Sequence, residues 1–183
     1  AFTLLFYHKN TAVSMCIFYK HTNDLHVFYK NGLSYVNIAN VNNVNIYGYN
    51  PKELFENISL YIVPMCNPDS VDLVTGLIDE NSLTYSRAKK IANNFPEITF
   101  PSGWKANIEG IDLNLQFPAG WEQAKEIKYT QGFDKPAPRD FVGYGPLTAP
   151  ESVALYNFTL QHNFSLILAY HTQGRVIFYQ YQN

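Results

Sequence analysis

Residues 150–171 join a helical pattern to an apolar run and finish on a histidine: Pro150-Glu-Ser-Val-Ala-Leu-Tyr-Asn-Phe-Thr-Leu-Gln-His-Asn-Phe-Ser-Leu-Ile-Leu-Ala-Tyr-His171. Apolar side chains recur at helical spacing after Pro150, so the pattern predicts a helix over residues 151–162. The continuous apolar run over residues 164–170 predicts a buried strand. His171 therefore falls where that strand ends.

The rest of the chain alternates strand-like and helix-like segments. Residues 58–63 form an apolar run closed by Pro64, which predicts a strand buried on both faces. Further strands are predicted over residues 2–7 and 15–20, and helices over 51–55 and 85–94, whereas residues 27–44 show no clean period. Buried strands separated by helices predict an α/β fold with a mixed, largely parallel sheet flanked by helices. Ligands of such sheets bind at the carboxyl ends of strands, where His171 lies.

Composition favours one folded domain and argues against binding of nucleic acid and against a membrane span. The chain has 183 residues, of which 46% are hydrophobic and 15% charged, and its net charge of −2 offers no basic surface for nucleic acid. No apolar stretch reaches the roughly 20 residues of a membrane span, and no signal peptide is visible. Because the sequence opens on a strand-like segment, we expect it to begin at an internal boundary. Cys16 and Cys66 lie in apolar runs and are expected to be buried thiols.

Two polar residues stand among apolar ones in the segment Gly110-Ile-Asp112-Leu-Asn114-Leu-Gln-Phe-Pro-Ala-Gly-Trp121. If the segment is extended, Asp112 and Asn114 share one face, because side chains alternate along a strand. Two polar groups on the face of a core strand are costly unless each has a partner. The alternative is that the strand end faces water.

Four blocks of sequence, in order, resemble the zinc carboxypeptidases of the carboxypeptidase A type. They are Tyr61-Ile-Val-Pro-Met-Cys-Asn-Pro-Asp69, the segment from Gly110 to Trp121, Gly145-Pro-Leu-Thr-Ala-Pro-Glu151 and Leu168-Ala-Tyr-His-Thr-Gln-Gly174. The sequence from Asp112 to Glu122 is most similar to that of the bacterial branch of the family, which cuts γ-D-glutamyl–diamino acid bonds of peptidoglycan peptides. The resemblance implies a single, incomplete zinc carboxypeptidase-like α/β sandwich that lacks its C-terminal part. Residues 1–45 match this family poorly and residues 46–183 match it well.

The resemblance implies zinc as the cofactor and His171 as one of its ligands. Such enzymes hold zinc with three protein ligands and keep a fourth position for water. In this family the other two ligands form an early His-x-x-Glu pair, which this sequence lacks. His21-Thr-Asn-Asp24 comes closest, so His21 and Asp24 are the predicted pair. His8 is the rival, and a third reading is that neither early histidine binds metal.

The resemblance also implies roles near the metal for two residues of the central motif. Asp112 matches the carboxylate that orients the first zinc histidine. Asn114 matches a residue that binds a substrate carboxylate, although the family commonly follows it with an arginine where this chain has Leu115. The family's general base is a glutamate well downstream of the third ligand, and no glutamate of this chain matches it. We therefore expect no catalytic base within residues 1–183.

Two functional hypotheses follow. The first is a zinc metallopeptidase that hydrolyses peptidoglycan stem peptides at the γ-D-glutamyl–diamino acid bond. The second is a catalytically inactive fragment or pseudo-peptidase that binds peptide or glycan through aromatic side chains. The expected partner is a peptide, in a bacterial cytoplasm or at the cell envelope. The oligomeric state and the exact scissile bond stay open.

Overall fold

The computed structural model describes residues 61–63 and 65–171 in full, and the backbone of residues 15–20, 25–29, 32–35 and 59–60. The strands within these residues are β1 Met15–Lys20, β2 Leu25–Tyr29, β3 Gly32–Tyr35, β4 Ser59–Val63 and β5 Leu166–Tyr170. The helices are α1 Pro68–Thr75, α2 Leu83–Ala92, α3 Trp121–Thr130 and α4 Pro150–His162. Among these helices, none is both long enough and apolar enough to cross a membrane. The predicted strand over residues 2–7 and helix over 51–55 lie outside the described residues.

The described residues divide into two compact units, one formed by residues 69–153 and the other by the described residues up to Pro68 together with residues 154–171. We call the described residues of the first the helical unit and those of the second the sheet unit. Each is considered by itself.

The sheet unit holds a mixed sheet with the strand order β3-β2-β4-β1-β5. β4 runs parallel to β2, whereas the pairs β1–β4, β1–β5 and β2–β3 are antiparallel. The prediction of an inner strand near residues 58–63 is confirmed, since β4 lies between β2 and β1. The described strands are mostly antiparallel, however, and not largely parallel as predicted. A β-favouring composition indicates that a segment is extended but does not encode the direction in which it pairs.

β5 confirms the strand predicted before His171 but corrects its predicted burial. β5 pairs with β1, with Leu168 opposite Ile17, and it is the last strand of the described sheet. Leu166 and Ile167 are 52% and 45% exposed. An apolar run shows that a strand can be buried, but burial also needs a layer that packs against it. No such layer covers β5 in the described structure.

Aromatic rings form the core of the sheet unit. Tyr61 of β4 is buried and makes edge-to-face contacts with Phe158, His162 and Phe164, with ring centroids 5.7, 5.2 and 5.3 Å apart. The Nδ1 atom of His162 lies 2.8 Å from the carbonyl oxygen of Phe158. Cys66 packs against this cluster and forms no disulfide in the described part of the chain, but it is half-buried and not fully buried as predicted.

The helical unit packs α1 and α2 against irregular backbone between α2 and α3. Leu73 of α1 and Ala88 of α2 share one core cluster with Trp104. α2 begins two residues before the predicted helix because Ser82 caps it, accepting a hydrogen bond from the backbone N–H of Tyr85 at 3.1 Å. A second cluster centres on Phe95 and Phe141. Both clusters flank the segment that carries the Gly110–Asn114 motif.

Candidate functional site

The Gly110–Asn114 motif is a capped turn and not the predicted extended segment. Leu113–Leu115 forms one turn of 3₁₀ helix, and the Asp112 carboxylate caps it by accepting a hydrogen bond from the backbone N–H of Asn114 at 3.2 Å. An aspartate side chain reaches the amide two residues ahead, and this local bond competes with strand pairing. Gly110 has φ +82°, and a Cβ atom there would lie 3.0 Å from Pro136. Asp112 and Asn114 are therefore adjacent on a turn.

Asp112 is a buried carboxylate with three hydrogen-bond donors. Its side chain is 2% exposed, and its Oδ2 atom accepts from Nζ of Lys105 and from the backbone N–H of Asp140, both at 3.0 Å. The backbone N–H of Asn114 occupies Oδ1. A buried carboxylate is costly unless its charge is paired and its lone pairs are bonded. Lys105 and the two amides meet that requirement, so the alternative of a strand end facing water is wrong for Asp112. Asn114 is exposed.

Asp140 extends this arrangement with a second paired carboxylate. Its Oδ1 accepts from Nζ of Lys128 at 2.7 Å and its Oδ2 from Nε of Arg139 at 2.8 Å. Burial raises the pKa of Asp140, but the hydrogen bonds and charges of Lys128 and Arg139 outweigh burial and hold that pKa below its usual value. We call Lys105, Asp112, Lys128, Arg139 and Asp140 the carboxylate network.

Two buried amide side chains fix the backbone around this network. Asn107 accepts from the N–H groups of Glu109 and Ile111 at 3.2 and 3.0 Å, and its Nδ2 donates to Glu151 at 3.2 Å. Gln116, which follows the 3₁₀ turn, is fully buried.

The oxygen of Gln116 accepts from the N–H groups of Thr148 and Ala149, both at 2.8 Å. Its nitrogen donates to the carbonyls of Val142 and Gly145. The turn is thereby tied to the backbone that begins α4.

The predicted site residues fall in different parts of the structure. Asp112 and Asn114 lie together in the helical unit, whereas His171 follows β5 in the sheet unit and is exposed. His21, Asp24 and the rival His8 lie outside the described residues. No group of three or more histidine, cysteine, aspartate or glutamate side chains is placed to hold a metal within the described part. Because that part contains one of the three predicted ligands, the zinc site stays a prediction.

The residues that pair with the buried Asp112 carboxylate were not predicted from the sequence. Lys105, Lys128, Arg139 and Asp140 were not selected, although each contacts one of the two carboxylates. A signal was present for Asp140, since it and Arg139 stand between the apolar pairs Ala137-Pro138 and Phe141-Val142 in the sequence. Charged residues inside an apolar run indicate pairing.

Comparison with known proteins agrees with the motif. A family model described as zinc carboxypeptidase matches residues 42–183. The chain belongs to the zinc carboxypeptidase family. The family that the sequence blocks resembled is therefore confirmed, and members of it are peptidases. No solved structure gives a significant match.

Two curated relatives align with most of the chain. It is 42% identical over 146 residues to gamma-D-glutamyl-L-diamino acid endopeptidase 1 of Lysinibacillus sphaericus, an alignment that covers 80% of this chain and 35% of the relative. It is 39% identical over 140 residues to the uncharacterized protein YqgT of Bacillus subtilis strain 168, covering 76% of this chain and 35% of that protein. The chain thus spans about a third of the length of these two relatives.

Proposed function

We propose that this chain is part of a zinc-dependent peptidase that hydrolyses the γ-D-glutamyl–diamino acid bond of peptidoglycan stem peptides. The observation that carries the proposal is the 42% identity to an endopeptidase of that name over 80% of the chain. The buried Asp112 supports it, because the motif that resembles the family is built into the core of the helical unit. A bacterial cytoplasm or cell envelope would supply this substrate.

The donor set proposed for the metal suits zinc chemically. His171, His21 and Asp24 would supply two imidazoles and a carboxylate, which are common zinc ligands. His171 is exposed at the end of β5 and so is available to a metal. When bound, zinc would supply a Lewis acid that lowers the pKa of its water.

Asp112 has one acceptor position left for the proposed contact with a zinc-binding histidine. A carboxylate offers about four lone-pair sites. Lys105 and the N–H of Asp140 occupy two on Oδ2, and the N–H of Asn114 occupies one on Oδ1. An imidazole N–H would therefore donate to Oδ1. This bond would fix the tautomer of the histidine.

A second function, binding of peptide or glycan without catalysis, is favoured by one surface feature. Tyr144 is 71% exposed, and its ring lies edge-to-face on buried Phe141 with centroids 5.2 Å apart. An aromatic ring held in this way offers a flat surface for stacking.

Zinc binding by the 183-residue chain separates the two functions. We expect the chain to bind one zinc ion, and His171→Ala to weaken that binding strongly because it removes a ligand. His26→Gln is the matched control, since His26 lies in β2 and is not among the proposed ligands. Competition with a metal indicator dye measures both affinities. Equal zinc affinity in the chain and in His171→Ala would reject His171 as a ligand and favour the binding module.

A further inference from the structure

Arg139 uses one of its five N–H donors within the described structure and is partly exposed. Its Nε donates to Oδ2 of Asp140 at 2.8 Å, and its side chain is 41% exposed. A guanidinium carries five N–H donors in one plane and is always charged. Among the described residues, Asp140 is the one partner that the structure gives this group. The four N–H donors of its two terminal nitrogens are thus available to a ligand.

Asp140, the partner of Arg139, is itself held by two further hydrogen bonds. Asp140 receives Lys128 on its other oxygen at 2.7 Å, and its backbone N–H donates to Asp112 at 3.0 Å. Its φ of +68° lies in the left-handed region, which residues other than glycine adopt mainly where their surroundings hold them there. An arginine oriented before binding loses less side-chain entropy when a ligand arrives.

The charge of the network suits an anion. Lys105, Lys128 and Arg139 carry three positive charges against the two negative charges of Asp112 and Asp140. Of the three cations, Arg139 has the most exposed side chain. A planar guanidinium matches a carboxylate with two parallel hydrogen bonds.

The turn that carries Asn114 is hydrogen-bonded to the carboxylate network. The N–H groups of Asn114 and Asp140 bind the two oxygens of one carboxylate, that of Asp112. Asn114 offers a substrate carboxylate only a neutral amide, and the residue after it is Leu115. A cation for that carboxylate must come from elsewhere in the chain.

We propose that Arg139 binds the free α-carboxylate of a γ-linked D-glutamyl residue. This inference rests on the proposed function. A glutamyl residue linked through its γ-carboxyl keeps its α-carboxylate, whereas an ordinary α-linked glutamyl residue does not. Recognition of this group would select γ-linked peptides, so Arg139 is a specificity-determining residue and takes no part in bond cleavage.

Two dipeptides and four proteins test the inference by binding alone. The probes are N-acetyl-γ-D-glutamyl-L-lysine and the same dipeptide with its α-carboxylate converted to a carboxamide. Isothermal titration calorimetry gives the affinity of each for the 183-residue chain, Arg139→Gln, Arg139→Lys and Arg87→Gln. Arg87 is an exposed arginine of α2 and serves as the matched control.

We expect the unsubstituted chain and Arg87→Gln to prefer the carboxylate probe by roughly 10-fold or more, as for a hydrogen bond between charged groups. Arg139→Gln should bind both probes equally. Arg139→Lys should show a smaller preference, because an ammonium lacks the planar pair of donors. It keeps a positive charge beside Asp140, so it tests the inference even if Arg139→Gln does not fold.

A full preference for the carboxylate in Arg139→Gln, or in Arg139→Lys where only that variant folds, would overturn the inference. Binding of both probes without preference by the unsubstituted chain would also overturn it and would leave the proposed function standing. Failure of that chain to bind either probe would overturn both.

Discussion

Asp140 combines a strained backbone with a paired carboxylate, and these two features explain each other. Its φ of +68° brings its N–H to Asp112 while its side chain lies between Lys128 and Arg139. Aspartate and asparagine tolerate the left-handed conformation better than most residues, since their short polar side chains bond locally. The charge, and not the backbone shape, is therefore what the aspartate adds over an asparagine.

Asp140→Asn should destabilise the helical unit more at neutral pH than at low pH. The pKa of Asp140 is lowered in the folded chain, so its contribution is present above the ordinary pKa and is lost as pH falls through the folded value. We expect a loss of about 1 kcal/mol at neutral pH, less than the roughly 1.5–3 kcal/mol of hydrogen bonds to buried charged groups, because the side chain is partly solvated. Urea unfolding at pH 7 and at pH 3, followed by fluorescence of buried Trp104 and Trp121, measures it. An equal loss at both pH values would contradict this account.

The ion-pair partners of the buried carboxylates could not be predicted from the sequence. Asp112 was recognisable from its motif, but Lys105, Lys128 and Arg139 were not, because an ion pair depends on which loops meet in space. Spacing along the chain gives no measure of that distance. The zinc ligands His171, His21 and Asp24 stay predictions for a similar reason, since a metal site joins distant segments.

Gln116 shows how one buried side chain fixes the start of a helix. α4 begins at Pro150, and the N–H groups of Thr148 and Ala149 just before it bind the Gln116 oxygen. Backbone N–H groups near the start of a helix lack intrahelical partners and need an acceptor. A Cβ atom on Gly143, which has φ +86°, would collide with the Gln116 nitrogen.

Gln116→Met should therefore destabilise the helical unit strongly. Methionine is similar in length, but it leaves two N–H groups and two carbonyls without this partner, and an unsatisfied buried group costs roughly 1–3 kcal/mol. We expect a loss of about 3 kcal/mol in urea unfolding followed by tryptophan fluorescence. Gln123→Met is the matched control, because Gln123 is exposed on α3 and should change stability by less than about 0.5 kcal/mol. Similar losses in both variants would show that the Gln116 bonds contribute little.

Elements with strong local signals were predictable. α4 matches its prediction within one residue at its start, and α2 matches within two residues at each end. The antiparallel pair of β2 and β3 was left unassigned, because residues 27–44 show no clean apolar period. Strand direction and the exposure of β5 depend on neighbours far along the chain, so a local pattern could not provide them.

The whole chain spans about a third of the length of its two curated relatives. The alignments cover 35% of each curated relative, and the resemblance places the general base downstream of His171. Of the glutamates within the described residues, Glu151 accepts a hydrogen bond from Asn107 and Glu122 is exposed on α3.

The 183-residue chain by itself should therefore hydrolyse N-acetyl-γ-D-glutamyl-L-lysine very slowly, even with zinc added. A positioned base typically contributes roughly 10²–10⁴ in rate, and no residue of this stretch matches that role. A form extended past Asn183 toward the length of the Lysinibacillus sphaericus relative should recover turnover by about that factor, and His171→Ala in the extended form should abolish it. His26→Gln in the extended form should keep its rate, since that histidine is not a proposed ligand. Release of free lysine, followed by chromatography, measures each rate. Turnover by the 183-residue chain as fast as by the extended form would mean that a carboxylate within this stretch serves as the base.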